Sequence, residues 1–408
     1  MQIRRCAVLM LEPRETLEFD LGLLLQGESG LRSTLRWLAL APHLDAEVEV
    51  DAAGRELLGA LGETAWTDSG AIAAQWGEAT LARLLELGLL IGDGAEHAQH
   101  RVRDEKLRGA YWRPLSAVAH YFSRWRDVDA AQVGEETGIR SVRDMVEKLG
   151  APPPHFHDHG PAEARIALPP PRSTPLDELL ARRVTCRNFD TQRAIELPLL
   201  ADLLHRVYAA QGTLEAAPGA TVLKKTSPSG GGLHPIEPWL IVRHVDGLAP
   251  GLYHYHTGVH ALEPVDAAAA IAAAVPEPDD PDAPPHRDAL WRLANRCVAG
   301  QHWFADAPVL VVLAVRFARS FWKYRNHAKA YRAVVLDAGH LSQTLYVSAT
   351  EHGLGAFVTA ATNEHVIEQA FGFDPLEHSP LAVCGFGWRG AQRDTVEFDP
   401  LHRVWRED

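Results

Sequence analysis

Residues 225–239 read KTSPSGGGLHPIEPW, with three consecutive glycines between a serine-containing start and a proline-bounded end. Three consecutive glycines let a backbone turn tightly or approach a ligand closely, and the serines beside them add hydroxyl groups. The stretch lacks the Gly-Lys-Ser/Thr of a phosphate loop, and Leu233, His234 and Pro235 break a G-x-G-x-x-G pattern. Taken alone, it matches neither common nucleotide-binding motif and is compatible with a plain loop.

Composition restricts the classes of protein to consider. The chain has 408 residues, 46% of them hydrophobic, which is enough to bury the cores of two or three domains. Acidic residues number 53 and basic residues 40, which disfavours broad attraction to nucleic acid or to an anionic membrane. The four cysteines form no C-x-x-C pair, and the longest apolar run, 308–315, is too short for a membrane span. We therefore expect a cytoplasmic protein that binds neither nucleic acid nor membrane.

The chain divides into three parts by pattern. Residues 1–100 combine strands with three amphipathic helices and suggest a winged-helix-like domain. Its would-be recognition helix, AIAAQWGEAT (71–80), has no Arg or Lys, so we expect it to bind a peptide or a partner protein. Residues 101–172 are a helical connector followed by a Pro/His-rich linker, and residues 173–408 alternate helices and strands as an α+β domain.

Two histidine-rich stretches invite a metal hypothesis. They are HFHDH (155–159) and YHYHTGVH (253–260). The first lies in a proline-rich linker without an anchoring partner, and the second alternates histidine with tyrosine as a strand does, without a carboxylate or thiol at matching spacing. We predict no metal site in either.

Four stretches of the third part carry chemistry. The first is RRVTCRNF (182–189), where alternate residues of an extended segment would project two cations and a hydroxyl on one side. The second is the opening glycine stretch. The third is LDAGHLSQTLYVSATEHGLGAFVTAATN (336–363), a helix rich in small residues followed by a loop. The fourth is AVCGFGWRG (382–390), a late strand that ends in glycines and an arginine.

In this order the four stretches resemble the nitroreductase superfamily of FMN-dependent oxidoreductases, over residues 175–395. SPSGGGLHPIEPWLIV, GLYHYHTGVHALEPV and LDAGHLSQTLYVSATEHGLGA are similar to the SagB-type branch, the flavin dehydrogenases that mature azole-containing peptides. The resemblance implies an α+β, FMN-binding nitroreductase-like fold, an antiparallel-rich sheet flanked by helices, preceded here by the winged-helix-like domain.

The resemblance also implies which residues bind FMN. Arginine forks suit the phosphate, and positive charge near the pyrimidine edge favours the reduced flavin. The segment that contains the glycines is expected to reach the flavin ring from the partner subunit, which implies a homodimer with FMN at the interface. The implied FMN-binding residues are Arg183, Thr185, Arg187, Pro228, Ser229, Gly230, Gly231, Thr359, Ala360, Ala361 and Arg389.

A catalytic pair follows from the same resemblance. SFWKYRNHAKAYR contains Lys323 and Tyr324, which match an adjacent Lys-Tyr assigned to catalysis in azoline dehydrogenases. Oxidising an azoline ring to an azole removes a hydride from one ring carbon and a proton from the other, so a base must stand beside the substrate. From the residues alone, an exposed lysine beside a packed tyrosine is the favoured interpretation, and the catalytic role depends on the resemblance.

The resulting prediction is an FMN-dependent dehydrogenase that oxidises azoline rings in a ribosomally made precursor peptide, alone or with a cyclodehydratase partner. Two alternatives remain open. One is a general NAD(P)H-dependent nitroreductase or flavin reductase. The other is a scaffold whose flavin domain has lost its chemistry and whose winged-helix-like unit recruits the peptide.

Overall fold

The computed structural model describes residues 1–266, 271–272 and 287–405. In these ranges the strands are β1 Gln2–Arg5, β2 Met10–Phe19, β3 Leu31–Leu40, β4 Glu47–Glu49, β5 Thr67–Asp68, β6 Leu90–Gly92, β7 Ile195–Glu196, β8 Gly212–Ala217, β9 Ala220–Lys224, β10 Ile236–Val242, β11 Val245–Asp246, β12 Gly251–His256, β13 Ala261–Pro264, β14 Val309–Arg316, β15 Gly355–Thr359 and β16 His378–Gly387.

The α-helices in the described ranges are α1 Leu21–Leu25, α2 Ala52–Ala60, α3 Ser69–Trp76, α4 Glu78–Glu86, α5 Ala98–Gly109, α6 Pro114–Tyr121, α7 Ala130–Thr137, α8 Val142–Leu149, α9 Pro175–Ala181, α10 Leu197–Tyr208, α11 Ala289–Cys297, α12 His302–Ala305, α13 Phe317–Phe321, α14 Ala330–Glu351 and α15 Glu364–Phe371. None of the described helices is both long enough and apolar enough to cross a lipid bilayer.

The chain forms two compact units. The first comprises Met1–Arg124, Arg316–Ala333 and Pro375–Glu377. The second comprises Trp125–Val315, Val334–Asp374 and His378–Asp408. Compact units reflect contacts rather than functional modules, so the division of the sequence at residues 100 and 172 stays a prediction.

The first unit contains a small antiparallel sheet in the order β5-β1-β6. Its core combines apolar residues of α2 and α4, such as Leu57 and Leu84, with Ile91 of β6. Asp51 and Asp68 accept hydrogen bonds from the first backbone amides of α2 and α3, which explains where these helices begin. The predicted succession of strand and three helices between residues 46 and 93 is confirmed, whereas the name winged helix remains an interpretation.

The second unit is built on a six-stranded sheet in the order β13-β12-β10-β14-β16-β15. β10 runs antiparallel to both β12 and β14, and β15 runs antiparallel to β16. Residues 309–315 of β14 are at most 1% exposed. A strand covered on both faces is apolar throughout rather than alternating, which is the pattern that the sequence has there.

The helix α14 is the longest element and carries several residues of interest. It spans 22 residues and begins at Ala330, whereas the sequence pattern predicted a start at Leu336. Gly353 follows its end with a φ of 76°, a left-handed conformation that favours glycine. The predicted glycine-terminated helix is confirmed, whereas the chain then enters β15 where the sequence pattern predicted a loop.

Candidate functional site

The stretch RRVTCRNF (182–189), the arginine stretch from here on, lies along the edge strand β15. Half-buried and buried side chains alternate through residues 183–188, and the half-buried ones are Arg183, Thr185 and Arg187. Thr185 forms a parallel bridge with Ala356, and the Cys186 amide donates to the Ala356 carbonyl at 2.9 Å. The predicted alternation is confirmed, and it leaves two guanidinium groups and one hydroxyl on the same accessible side.

A buried tyrosine organises this side. The Tyr346 hydroxyl lies 3.0 Å from Thr185 Oγ1 and accepts a hydrogen bond from the Val358 amide at 3.2 Å. The guanidinium carbon of Arg183 stands 5.3 Å from the centre of the Tyr346 ring, close enough for a cation–π contact. Burial raises the pKa of Tyr346, so the phenol stays protonated. Sequence reasoning missed Tyr346, whose one signal was an aromatic residue in a helix of small residues.

Arg187 points toward a cavity of about 590 Å³. Its guanidinium carbon lies 5.9 Å from the centre of the Phe304 ring, and Arg287, Trp303 and Gly390 also line the cavity. This volume falls in the range typical of small-molecule sites.

A buried carboxylate of the C-terminal segment lies behind the arginines. Glu397 is 2% exposed and forms an ion pair with Arg389, the residue predicted to hold a phosphate. Its other hydrogen-bond donors are the Arg187 amide (2.5 Å), the Asn188 amide (3.0 Å), Asn188 Nδ2 (2.9 Å) and Trp405 Nε1 (2.8 Å). Nothing in the sequence DTVEFDP indicated that Glu397 would be buried. Arg389 is thus partly neutralised, and its contact with a phosphate stays a prediction.

The glycine segment, Pro228–Gly231, is held by the helix α14. Ser229 Oγ donates to Asp337 Oδ2 at 2.5 Å, and the Gly230 amide donates to Asp337 Oδ1 at 2.9 Å. The His234 amide in turn donates to Ser229 Oγ at 2.9 Å. Gly231 has a φ of 67°, which a side chain would strain. Asp337, which the sequence analysis did not single out, therefore fixes the shape of the segment.

The arginine stretch and the glycine segment attach to opposite sides of α14. Tyr346 and Asp337 are nine residues apart, which on an ideal helix is a rotation of about 180° and a rise of about 13 Å. Among the described residues, no hydrogen bond or ion pair joins the two groups directly. A single chain thus presents the two predicted halves of a cofactor site on different faces of one helix.

The end of β15 and the loop after it contain Thr359, Ala360 and Ala361, which the resemblance assigns to FMN binding. Thr359 is buried and Ala360 is exposed. The Ala361 amide donates to Thr359 Oγ1 at 3.1 Å, and Gln301 Nε2 donates to the Ala361 carbonyl at 3.0 Å and to Thr359 Oγ1 at 3.2 Å. The side-chain amide of Gln301 thus fixes this loop, a role that the sequence analysis missed.

The predicted catalytic pair belongs to the first compact unit. Lys323 and Tyr324 follow α13 directly. Lys323 is exposed and Tyr324 is half-buried, and the ammonium nitrogen lies 5.6 Å from the centre of the tyrosine ring. The Tyr324 amide donates to the Ser320 carbonyl at 3.2 Å, so the pair occupies the turn that ends the helix. Its predicted role in catalysis stays a prediction.

Comparison with known proteins gives several similarities. The trifolitoxin-processing protein TfxB of Rhizobium leguminosarum bv. trifolii is 25% identical over 258 residues, which is 61% of this chain and 64% of that protein. A nitroreductase-type protein of Methanocaldococcus jannaschii is 26% identical over 228 residues, which is 54% of this chain and 95% of that protein. The chain thus spans less than two thirds of the first relative and nearly all of the second.

Among solved structures, the E. coli microcin synthetase McbBCD complex with truncated pro-MccB17 bound matches 71% of this chain and 92% of that chain. Its sequence identity is 19% and its TM-score is 0.37, a likeness on which no functional argument rests. The model of the nitroreductase family matches residues 180–388, about half of the chain, which confirms the predicted nitroreductase-like fold. Members of this family are generally oxidoreductases and typically bind flavin. The chain belongs to the nitroreductase family.

Proposed function

We propose that this chain is an FMN-dependent dehydrogenase that oxidises azoline rings to azoles in a ribosomally made precursor peptide. The observation that carries the proposal is the similarity to a trifolitoxin-processing protein, taken together with the match to the nitroreductase family. The Lys323–Tyr324 pair, which the resemblance to SagB-type dehydrogenases assigns to catalysis, is the second support.

The residues of the arginine stretch fit FMN. In the part of the chain that the structure describes, no carboxylate lies within ion-pair distance of Arg183, so its guanidinium fork is available for a phosphate. Thr185 adds a hydroxyl on the same side, and Arg187 lines a cavity of small-ligand size. Arg389 would add a weaker attraction because Glu397 already neutralises part of its charge. When bound, FMN would supply a hydride acceptor.

The opposite placement of Tyr346 and Asp337 on α14 supports the predicted homodimer. Because one chain presents the arginine stretch and the glycine segment on different faces, two chains would complete each site. Near its start, α14 has a face that exposes Val335 (48%) and Leu336 (64%), apolar side chains of the kind that a subunit interface covers. We propose that this face meets its counterpart in a second copy.

Dimerisation can be tested at that face. Leu336→Arg should shift the protein from dimer to monomer in analytical ultracentrifugation and should weaken FMN binding at the same time. Leu176→Arg, which changes a comparably exposed leucine (57%) on α9, is the matched control. A variant that stays dimeric would place the interface elsewhere.

Lys323 would accept the proton that leaves the azoline ring while the hydride leaves from the neighbouring carbon. The ring would lose two hydrogens in all: FMN held by Arg183 and Thr185 would supply the acceptor for the hydride and its electron pair, and Lys323 would take the proton. A lysine can act as a base near neutral pH where burial or a nearby cation lowers its pKa, and we propose that the bound peptide supplies the burial by covering the exposed Lys323 side chain. Tyr324 would orient or relay that proton.

The catalytic pair can be tested by substitution. Lys323→Ala should abolish oxidation of an azoline peptide and leave FMN bound, whereas Lys329→Ala, at an exposed lysine nearby, should change neither. Mass spectrometry would follow the loss of two hydrogens per ring. An unchanged rate in Lys323→Ala would remove the pair from the mechanism.

The first compact unit is proposed to dock the precursor or a cyclodehydratase partner. The hairpin of β2 and β3 exposes large apolar side chains, namely Leu17 (66%), Phe19 (68%) and Leu35 (65%). Phe19→Lys should raise the KM for the full-length precursor and leave FMN binding unchanged. An unchanged KM would indicate that the hairpin takes no part in docking.

A general NAD(P)H-dependent reductase is the second candidate. The similarity to the Methanocaldococcus protein favours it, because that match covers 95% of a nitroreductase-type chain. Anaerobic mixing separates the two functions: rapid bleaching of the flavin by NAD(P)H and not by an azoline peptide would favour the general reductase.

A further inference from the structure

Tyr346 of α14 connects the arginine stretch with β15 through its hydroxyl group. Its side chain is buried, and the whole residue is 7% exposed. The phenol oxygen accepts a hydrogen bond from the Val358 amide at 3.2 Å and lies 3.0 Å from Thr185 Oγ1. A backbone amide can only donate, whereas a threonine hydroxyl can donate or accept. The phenol therefore stands between one partner of fixed polarity and one partner whose polarity has to be inferred.

The direction of the bond between the two hydroxyls follows from their donors and acceptors. The phenol of Tyr346 has one proton to donate, and burial raises its pKa, so the proton is present at neutral pH. Within residues 1–266, 271–272 and 287–405, Thr185 Oγ1 is the one acceptor at hydrogen-bond distance from that proton. Because a buried donor without an acceptor is costly, the proton of Tyr346 lies on the bond to Thr185.

The Thr185 hydroxyl must then direct its own proton elsewhere. Its oxygen accepts from Tyr346, and the described part of the protein offers no second partner to this hydroxyl. Thr185 is half-buried and lies on the accessible side between Arg183 and Arg187. The series of donors thus runs from the Val358 amide through Tyr346 to Thr185, and it ends in a hydroxyl proton that is available to a ligand.

We propose that Tyr346 is a positioning residue that makes Thr185 a hydrogen-bond donor, so that this point of the site binds an acceptor atom, a phosphoryl or carbonyl oxygen, and rejects an N–H group. The ligand part of the inference rests on the proposed flavin site, in which FMN offers both kinds of oxygen. The direction of the hydroxyl bond concerns the protein alone. The two cations beside Thr185, Arg183 and Arg187, favour the same kind of ligand atom.

Four variants separate the hydroxyl from the rest of the site. Tyr346→Phe keeps the ring and with it the contact to Arg183, whose guanidinium carbon lies 5.3 Å from the ring centre. Thr185→Val removes the threonine hydroxyl at nearly constant shape, and the double variant removes both hydroxyls. Tyr208→Phe is the matched control, because Tyr208 is also buried (1% exposed) and its hydroxyl has no hydrogen-bond partner among the described residues.

Raman spectra of the full chain without FMN test the direction of the bond. The intensity ratio of the tyrosine Fermi doublet distinguishes a phenol that donates its proton from one that only accepts. Wild type minus Tyr346→Phe gives the signal of Tyr346, and Thr185→Val minus the double variant gives that signal without the threonine hydroxyl. We expect a donating phenol in the first difference and an acceptor-only phenol in the second. An acceptor-only phenol in wild type would overturn the inference.

FMN titration tests the consequence for binding. Thr185→Val should weaken FMN binding about tenfold, and Tyr346→Phe about threefold because the Thr185 hydroxyl loses its fixed direction. The double variant should bind no more weakly than Thr185→Val, since Tyr346 acts through Thr185. Tyr208→Phe should bind as wild type does. Losses that multiply in the double variant, an unchanged affinity in Tyr346→Phe, or an equal loss in Tyr208→Phe would overturn the positioning role.

Riboflavin, which lacks the phosphate, identifies the acceptor atom. A loss in Thr185→Val for FMN alone would indicate a phosphate oxygen, and an equal loss for both ligands would indicate a carbonyl oxygen of the ring; both results support the inference. If wild type binds neither ligand, the flavin proposal fails, and the Raman differences decide whether Thr185 is a donor. If Thr185→Val does not fold, wild type, Tyr346→Phe and Tyr208→Phe still supply the Raman signal of Tyr346 and the FMN affinities that decide.

Discussion

The predicted cofactor site has two halves that are built in different ways. The arginine half is the arginine stretch, and the glycine half is the glycine segment. The arginine stretch lies along a strand, carries several cations and is supported from behind by the buried Glu397. The glycine segment presents backbone and one hydroxyl, and it is shaped by Asp337 of a helix. Charge that must meet a phosphate can remain half-exposed, whereas a segment that must lie close to a flat ring needs small residues in a fixed conformation. The arginine half therefore depends on ion pairs, and the glycine half depends on backbone shape.

The largest effect is expected from a substitution that removes Glu397, the buried carboxylate that supports the arginine half. Glu397→Ala leaves Arg389 without its buried partner and removes an acceptor from four further donor groups. We expect the free energy of unfolding to fall by about 3–5 kcal/mol in chemical denaturation. Glu351→Ala, which removes an exposed ion pair with Arg206, should cost less than about 1 kcal/mol. An equal loss of unfolding free energy in the two variants would mean that Glu397 is not the main support of the arginine half.

Lys225, which is buried just before the glycine segment, should give the glycine half a pH-dependent stability. The pKa of Lys225 is lowered from 10.5 to about 8 in the fold, so between these values the unfolded chain binds more protons than the folded one. Stability contributed by this group therefore rises with pH across that window, by up to about 3 kcal/mol relative to Lys225→Met. Chemical denaturation of both proteins at several pH values would measure this change. A difference in the free energy of unfolding that stays constant with pH would show that the pKa of Lys225 is not lowered in the fold.

Removing one free cation tests the binding role of the arginine half. Arg183→Ala should weaken FMN binding by about 10- to 100-fold, since a charge-assisted pair with a phosphate is worth about 1.5–3 kcal/mol. Arg182→Ala, at the exposed neighbouring position, should leave the affinity unchanged. Isothermal titration would measure both, and equal losses in the two variants would point to a non-specific charge effect.

The smallest expected effect concerns backbone shape. Gly231→Ala places a side chain at a φ of 67° and should cost about 1–2 kcal/mol of stability. Gly230, in the same segment, does not have a positive φ, so Gly230→Ala should weaken FMN binding with little loss of stability. Thermal unfolding and FMN titration together separate these effects. A Gly231→Ala variant as stable as wild type would show that the segment tolerates another shape.

Local patterns in the sequence predicted the features that depend on residues close together in the chain. The alternation of Arg183, Thr185 and Arg187, the strand at residues 309–315 and the end of α14 before Gly353 all follow from period or from one residue's preference. The supports of the site did not follow. Tyr346 and Glu397 reach the arginine stretch across more than 150 residues of chain, and Asp337 reaches Ser229 across 108. Such contacts depend on the packing of the whole sheet and helix layer, which no local pattern encodes.

The proposed oxidation of azoline rings by FMN bound to this protein can be measured on the purified protein. The purified protein, loaded with FMN, is mixed without oxygen with a precursor peptide that contains azoline rings. The account predicts that the visible absorbance of the flavin bleaches in proportion to the rings oxidised, and that each of these rings loses two hydrogens by mass spectrometry. A protein that takes up no FMN, or a flavin that NAD(P)H reduces and the azoline peptide does not, would contradict it.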